Sequence, residues 1–340
     1  MISLSRPSAP ARRRAFAAAA ALAAALLLPG LSQAQTVFRY GHMNSPTSAA
    51  GIQAQWLAEA IEEKTGGQIK VEVYPSSQLG KLQELAEAVS TGTIALSHNT
   101  AGAIGSLYEP FAALDTPYLY RDVDHLMKVM DVDSPVMKKL NAGLIERAGV
   151  RVLYAYYFGT RQLTANQAAY QPSDLAGVKI RAIPFPIYTT AVDGLGAVPV
   201  PVDWSEVPTA LATGIVSGQE NPVNVVLSYK LYEVQSHMML TGHIQSAQVI
   251  VINEDVWQSL SDEQRAALTA AASEVRARAS KMVLDQEAEE LQKLKDAGMT
   301  VIGPEQGLKL DAFRASVKAL VDKNFGEKFG TLYKEIDAIH

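Results

Sequence analysis

Apolar residues in the first third of the chain alternate between two spacings. Val37 to Tyr40 reads as a short strand. Trp56, Leu57 and Ile61 then recur at helical spacing until Gly66-Gly67 ends the run, with Ser45 as the expected cap and Pro46 in the first turn. Residues 69–73, IKVEV, alternate apolar and polar, the mark of a half-exposed strand. A helix is expected from Lys81 to Ser90 and an apolar strand from Ile94 to Ser97. This β-α-β-α-β rhythm predicts an α/β domain with a largely parallel sheet.

Residues 122–148 have a helical pattern and 150–158, VRVLYAYYF, read as a long strand. After Gly159 a second β-rich unit begins, with strands near 161–166, 178–183 and 197–202. Asp203 and Glu206 resemble a capping box for a helix reaching Leu211, and a second helix is expected from Pro222 to about Gln235. Strands near 237–241 and 247–252 follow. Ser261 with Gln264 caps one helical stretch that ends only at Gly298. At 1.5 Å per residue it is roughly 50 Å long, which predicts a brace crossing two domains. Without a Pro/Ser-rich linker, the domains are expected to interleave along the chain.

The first 34 residues stand outside this pattern. Arg6, Arg12, Arg13 and Arg14 precede an apolar run from Ala15 to Leu28, broken by Pro29-Gly30 and closed by Ser32-Gln33-Ala34. That is the layout of a secretory signal cleaved after Ala34; the twin-arginine and general export routes both stay open. Removing it takes Lys+Arg from 30 to 26 against 35 Asp+Glu, so the net charge moves from −5 to −9. A mildly acidic chain argues against nucleic acid as a partner. With no cysteine in the sequence, disulfides, thiolate metal sites, cysteine nucleophiles and a thiol-linked lipid anchor are excluded. A freely diffusing periplasmic protein is expected, with no direct membrane anchor.

Enzyme signatures are scarce. The six histidines are scattered and show no zinc-site spacing. Gly194-Leu195-Gly196 lacks the third glycine of a dinucleotide fingerprint, and no phosphate-binding loop, nucleophile elbow or SxxK motif occurs.

Three polar residues stand out by context. Arg181 sits in GVKIRAIPFP, an apolar strand-like run; Arg161 follows a strand end in FGTRQLTAN; Asn221 lies in SGQENPV, between two expected helices. Guanidinium forks fit carboxylates bidentately, and an amide can donate to the same oxygens. Without matching acids beside them, the three would form an anion site. The structural alternative is an edge-strand arginine with its head in water, or one paired with Glu220 or Asp203.

The segments YPSSQLG (74–80), FGTRQLTAN (158–166), DLAGVKIRA (174–182), DWSEVPTALATGIVSGQENPV (203–223) and SYKLYEVQSHMMLTGH (228–243) carry a resemblance. They resemble the solute-binding proteins of tripartite ATP-independent periplasmic (TRAP) transporters, DctP type, and the likeness runs from about Phe38 through the long helix. The resemblance implies a two-domain periplasmic-binding-protein clamshell with mixed sheets and a long domain-spanning C-terminal helix. The expected division is residues 35–158 with about 246–286, and 159–245 with about 287–340. It further implies that Arg181 clamps a ligand carboxylate while Arg161 and Asn221 complete the anion site. Trp204 would stack on the ligand body, and Tyr188 would face the same space. His42, Asn44, Asn99 and Thr100 would line the cleft from the other domain. Sialic-acid-binding relatives carry a glutamate and an arginine where this chain has Thr100 and Ala103, which favours a smaller or less polar acid. The implied partners are a small carboxylate and the integral-membrane subunits of a TRAP importer, with no metal or cofactor required. Two alternatives remain: a receptor of an ABC or tripartite tricarboxylate transporter, and a periplasmic enzyme using His98 or Glu220 as base.

Overall fold

The computed structural model describes residues 35–340; the expected export signal lies outside them. The strands are β1 (Thr36–Gly41), β2 (Ile69–Tyr74), β3 (Leu96–Asn99), β4 (Val150–Ala165), β5 (Lys179–Ala182), β6 (Val198–Pro201), β7 (Gly218–Pro222), β8 (His237–Asn253) and β9 (Thr300–Ile302). They form one mixed sheet in the order β2-β1-β3-β8-β4-β7-β5-β6, with β9 also on β8. β1 pairs parallel with β3, and β5 pairs parallel with both β6 and β7. β4 and β8 run antiparallel to each other through the middle.

The middle pair departs from expectation. β4 and β8 have 16 and 17 residues, where a typical strand has about five or six. The sequence pattern predicts two shorter strands in place of each: 150–158 and 161–166 for β4, parted at Gly159, and 237–241 and 247–252 for β8. Gly159 does take φ +121°, and a Cβ there would lie 2.6 Å from Pro222, yet the residue still pairs with Ser246. Polar groups between the two strands expected in place of β8 are partly held within the sheet. The Gly242 N–H donates to Gln162 Oε1 (2.8 Å), and Thr241 Oγ1 shares a hydrogen bond with His243 Nδ1 (2.8 Å).

These two strands carry the chain through two apolar cores. Val152 of β4 and Val251 of β8 belong to the larger core, with Leu57, Leu96 and Leu268. Leu163 of β4 and Met239 of β8 belong to the second, with Ile180, Val192, Phe313 and Val317. The result is the two-lobed α/β clamshell implied above. The long helix Asp262–Asp296 has the expected capping box at Ser261 and Gln264. It spans about 52 Å and touches the helix Ala49–Lys64, β4 and the helix Val223–Ser228. A second long helix, Leu310–Asp337, follows it.

Other differences are local. The first helix is capped by Ser48, because Ser45-Pro46 closes a turn in which the Ser48 N–H donates to the Ser45 carbonyl. Residues 122–148 form two helices, Val123–Val129 and Pro135–Ala148, divided where Ser134 caps the second. Asn221 lies on β7 rather than between helices. GQENP has no apolar alternation, so its strand character depends on side-chain partners described below.

Candidate functional site

A cleft opens where the ends of β1 and β3 face the ends of β5 and β7 across the central strands. Met43, Asn44, Leu82 and Thr100 form one wall; Arg181, Ile183, Trp204, Asn221 and Val225 form the other. Phe158 and Arg161 of β4 and Gln248 of β8 make the floor. The lobes are closed on it, leaving a cavity of about 20 Å³, room for roughly one water.

Arg181 projects from β5 in parallel register with Val200 of β6. It is 1% exposed, and its Nε donates to the Val202 carbonyl at 2.8 Å. Among the described residues no carboxylate lies within ion-pair distance of it. Burial pushes its pKa down to about 10, with the more distant Glu220 charge resisting and Arg161 adding repulsion. The group is still cationic at neutral pH. Trp204 presents its ring 5.7 Å from this guanidinium.

Arg161 is different. Its Nε and Nη2 grip both Glu220 carboxylate oxygens (2.5 and 2.8 Å), and Nη2 also donates to the Glu220 carbonyl (2.8 Å). Both side chains are buried, so water does not compete for the pair. His243 Nε2 lies 3.0 Å from the same carboxylate. Burial works against the Glu220 charge, yet Arg161 and the His243 hydrogen bond prevail and hold the carboxyl down to about 2. The expectation of two cations without acid partners is therefore corrected. Glu220, one residue before Asn221, neutralises Arg161, while Arg181 is the arginine without an acid partner.

β7 holds this arrangement together. Asn221 Nδ2 donates to Gln219 Oε1 (2.6 Å), and Gln219 Nε2 donates to Thr164 Oγ1 of β4 (2.9 Å). Trp204 packs edge-on against Tyr229, with ring centres 4.7 Å apart. The Tyr229 hydroxyl accepts the Ser45 N–H from the opposite wall at 2.6 Å. At the cleft mouth Lys81 Nζ reaches Asp203 (2.7 Å) and Glu206 (3.2 Å), so charge also ties the two walls.

Asn44 and Thr100 line the cleft as expected, the latter also capping the helix Ala101–Ile104 by accepting the Ala103 N–H. Three other expected residues do not line it. Tyr188 is buried, its hydroxyl donates to Asp115, and its ring lies 5.8 Å from the Arg161 guanidinium. His42 stacks on His98 at 4.6 Å, and burial pushes its pKa down to about 4. Asn99 turns its amide to Ser97 Oγ at 3.0 Å. Nor does either candidate base reach the cleft as a free group. His98 is held between the Tyr40 hydroxyl (3.0 Å) and Asn44 Oδ1 (2.9 Å), and Glu220 is committed to Arg161. Gln248 and Phe158 join the site without having been expected there. The signal available for Gln248 was a glutamine opening the apolar run QVIVI.

Among the described residues no group of three or more His, Cys, Asp or Glu could hold a metal ion, and no helix is long and apolar enough to cross a membrane. A family model described as bacterial extracellular solute-binding protein, family 7 (DctP) matches residues 40–328. The 2,3-diketo-L-gulonate-binding periplasmic protein YiaO of Escherichia coli K12 is 34% identical over 285 residues, 82% of this chain and 86% of that protein. The C4-dicarboxylate-binding periplasmic protein DctP of Rhodobacter capsulatus is 31% identical over 287 residues, 84% of this chain and 85% of that protein. A crystal structure of a TRAP periplasmic solute-binding protein from a Polaromonas species, bound to D-erythronate, is 32% identical with a TM-score of 0.82, covering 90% of this chain and 98% of that one. The chain thus belongs to the family 7 bacterial extracellular solute-binding proteins, those of the TRAP transporters.

Proposed function

We propose that this protein is a periplasmic receptor that captures a small monocarboxylate on Arg181 and delivers it to the membrane subunits of a TRAP-type importer. The observation that carries the reading is the charge balance of the cleft. Of its two buried arginines, Arg161 is neutralised by Glu220, whereas Arg181 has no carboxylate at ion-pair distance. A single carboxylate would supply that partner bidentately. Arg161, fixed by Glu220, and Asn221, fixed by Gln219, would complete the anion site; Trp204 would flank the ligand body, with Asn44 and Thr100 on the facing wall.

The lobes would divide at residues 35–158 with about 246–286, and 159–245 with about 287–340, hinging where β4 and β8 cross. The passage of β4 from the larger core at Phe158 to the second core at Leu163, and the φ of Gly159 between them, support a hinge at that point. A leader cleaved after Ala34 would release the mature chain into the periplasm, where relatives such as YiaO are described as acting.

The relatives' names include sugar acids and a dicarboxylate. In this cleft a second carboxylate would be buried without a free cation, at a cost of several kcal/mol. Calorimetric titration with acids of matched size tests this. Monocarboxylates should bind at least about tenfold more tightly than dicarboxylates, a gap of about 1.4 kcal/mol. Tightest binding by succinate-like acids would refute the monocarboxylate assignment. Recovery of a chemically altered acid after incubation would instead favour an enzyme.

A further inference from the structure

A second cavity lies between residues 116–121, Gly242 and Gln245 of β8, and the C-terminal helix Leu310–Asp337. Its volume is about 550 Å³, within the roughly 300–1,000 Å³ typical of ligand pockets. None of the residues that line it lines the acid cleft.

Most polar groups around this cavity already have partners. Arg121 Nη1 donates to the Asp337 carboxylate (3.1 Å) and to the Asp337 carbonyl (2.9 Å), and Lys318 pairs with Asp322. The Tyr118 hydroxyl donates to the Thr241 carbonyl (3.0 Å) and the Tyr120 hydroxyl to the Leu114 carbonyl (2.8 Å). The Tyr333 and Thr116 hydroxyls share a hydrogen bond of 2.8 Å.

What remains is a set of rings and one cation. Among the described residues the ion pair of Arg314 is with Asp311, at 3.7 Å, too long for a hydrogen bond, and the Asp311 side chain is fully exposed. The Arg314 guanidinium stands 5.8 Å from the Tyr118 ring centre. Tyr118 itself takes φ +56°, where bulky side chains are rarely found. Its N–H donates to the His243 carbonyl at 2.8 Å, so with its hydroxyl on Thr241 it is fixed on both sides of Gly242. Backbone strain held in place in this way clusters at sites of recognition. Gln245 Oε1 is buried in the same lining without a partner. It is one of six such atoms among the described residues, so it adds an acceptor to the cavity without defining it.

The unused groups select the ligand. A cation would meet Asp322 and Asp337, which are already neutralised. A polyol would find the tyrosine hydroxyls committed. A neutral apolar molecule would leave Arg314 without a partner. A flat anion satisfies both features, with its ring against the tyrosines and its carboxylate on the guanidinium fork. We propose that this cavity is a second ligand site, separate from the acid cleft, and that it takes an aromatic carboxylate.

The test uses phenylacetate, 2-phenylethanol and acetate, which present ring and charge together, the ring alone and the charge alone. They are titrated calorimetrically into Arg181→Met, which lacks the cleft clamp, and into Arg181→Met with Arg314→Glu. Arg314 is exposed, so its replacement leaves the fold intact. In Arg181→Met, phenylacetate should bind one molecule per chain, about tenfold or more tightly than either other probe. Adding Arg314→Glu should weaken phenylacetate by about tenfold or more and change 2-phenylethanol less than about twofold. Absence of phenylacetate binding to Arg181→Met overturns the second site. Equal binding of 2-phenylethanol overturns the anion assignment, equal binding of acetate overturns the aromatic one, and binding indifferent to Arg314→Glu overturns the placement. Should Arg181→Met not fold, wild type and Arg314→Glu decide: loss of one phenylacetate per chain supports the site, and no loss overturns it.

Discussion

Arg161 and Arg181 line the same cleft, are almost equally buried, and have opposite electrostatic circumstances. Arg161 is held by three hydrogen bonds to Glu220 and its pKa is raised: burial opposes the charge, but the carboxylate prevails. Arg181 has one backbone carbonyl, and burial lowers its pKa. A buried cation that is fully paired is part of the architecture. One that is left unpaired stores a desolvation cost that a ligand can relieve. The comparison teaches which of two similar residues is the recognition group and which is its support.

The largest effect should come from removing the support. Glu220→Ala leaves the Arg161 charge buried and unpaired, and loss of one member of a buried pair costs about 3–5 kcal/mol of stability. Arg181→Met leaves no charge behind, so it should keep or raise the melting temperature while abolishing acid binding. Thermal melts of the two variants without ligand check the contrast. Equal destabilisation would mean that Arg181 is structural too.

Acid should expose the same difference. The Glu220 carboxyl, ordinarily near 4.5, is held at about 2 in the fold. Its contribution is therefore present above about pH 4.5 and lost as pH falls toward 2, amounting to about 3 kcal/mol. His42, lowered from 6.5 to about 4 by burial, adds acid sensitivity of the same sign between those values. Denaturant titrations from pH 7 to 3 should show stability falling, with the portion below pH 4.5 reduced in Glu220→Gln. An unchanged profile in that variant would contradict the assignment of Glu220 as a charged partner.

The recognition group should show itself in binding. Arg181→Lys keeps the charge but loses the planar fork, so affinity should fall by about 1.5–3 kcal/mol, or roughly 10- to 100-fold, with the fold intact. Calorimetry with the preferred acid measures it, and unchanged affinity would remove Arg181 from the clamp.

The sequence made some of this readable and hid the rest for physical reasons. Arg181 was conspicuous because a charge inside IRAI breaks an apolar run, and Arg161, Asn221, Trp204, Asn44 and Thr100 also reach the cleft. The pairing of Arg161 was hidden because its acid comes from a strand of purely polar sequence, GQENP, whose strand character arises only from partners on neighbouring strands. Tyr188, His42 and Asn99 were expected in the cleft because position along a chain does not tell which way a side chain turns. The continuity of β4 and β8 was obscured by glycine, which marks a turn in most contexts and here marks the crossing between two cores.

The smallest expected effect belongs to the cleft mouth and sharpens the comparison by contrast. Lys81 joins Asp203 and Glu206 across the two walls, but its side chain is 40% exposed and those of its partners 28% and 60%. Exposed pairs of this kind contribute little, and salt screens them. Since the pairs form between facing walls, they favour the closed form, and their loss should appear in ligand release. Lys81→Ala should raise koff about two- to fivefold at low ionic strength with little change in kon. Raising salt should bring the wild type toward the variant, whereas the ligand contact of the buried Arg181 should respond much less. Stopped-flow release measured at about 0.02 and 0.5 M salt separates the cases. If koff in the wild type and Lys81→Ala stayed equal at low salt, the mouth pairs would be bystanders, and closure would rest on the interior contacts alone.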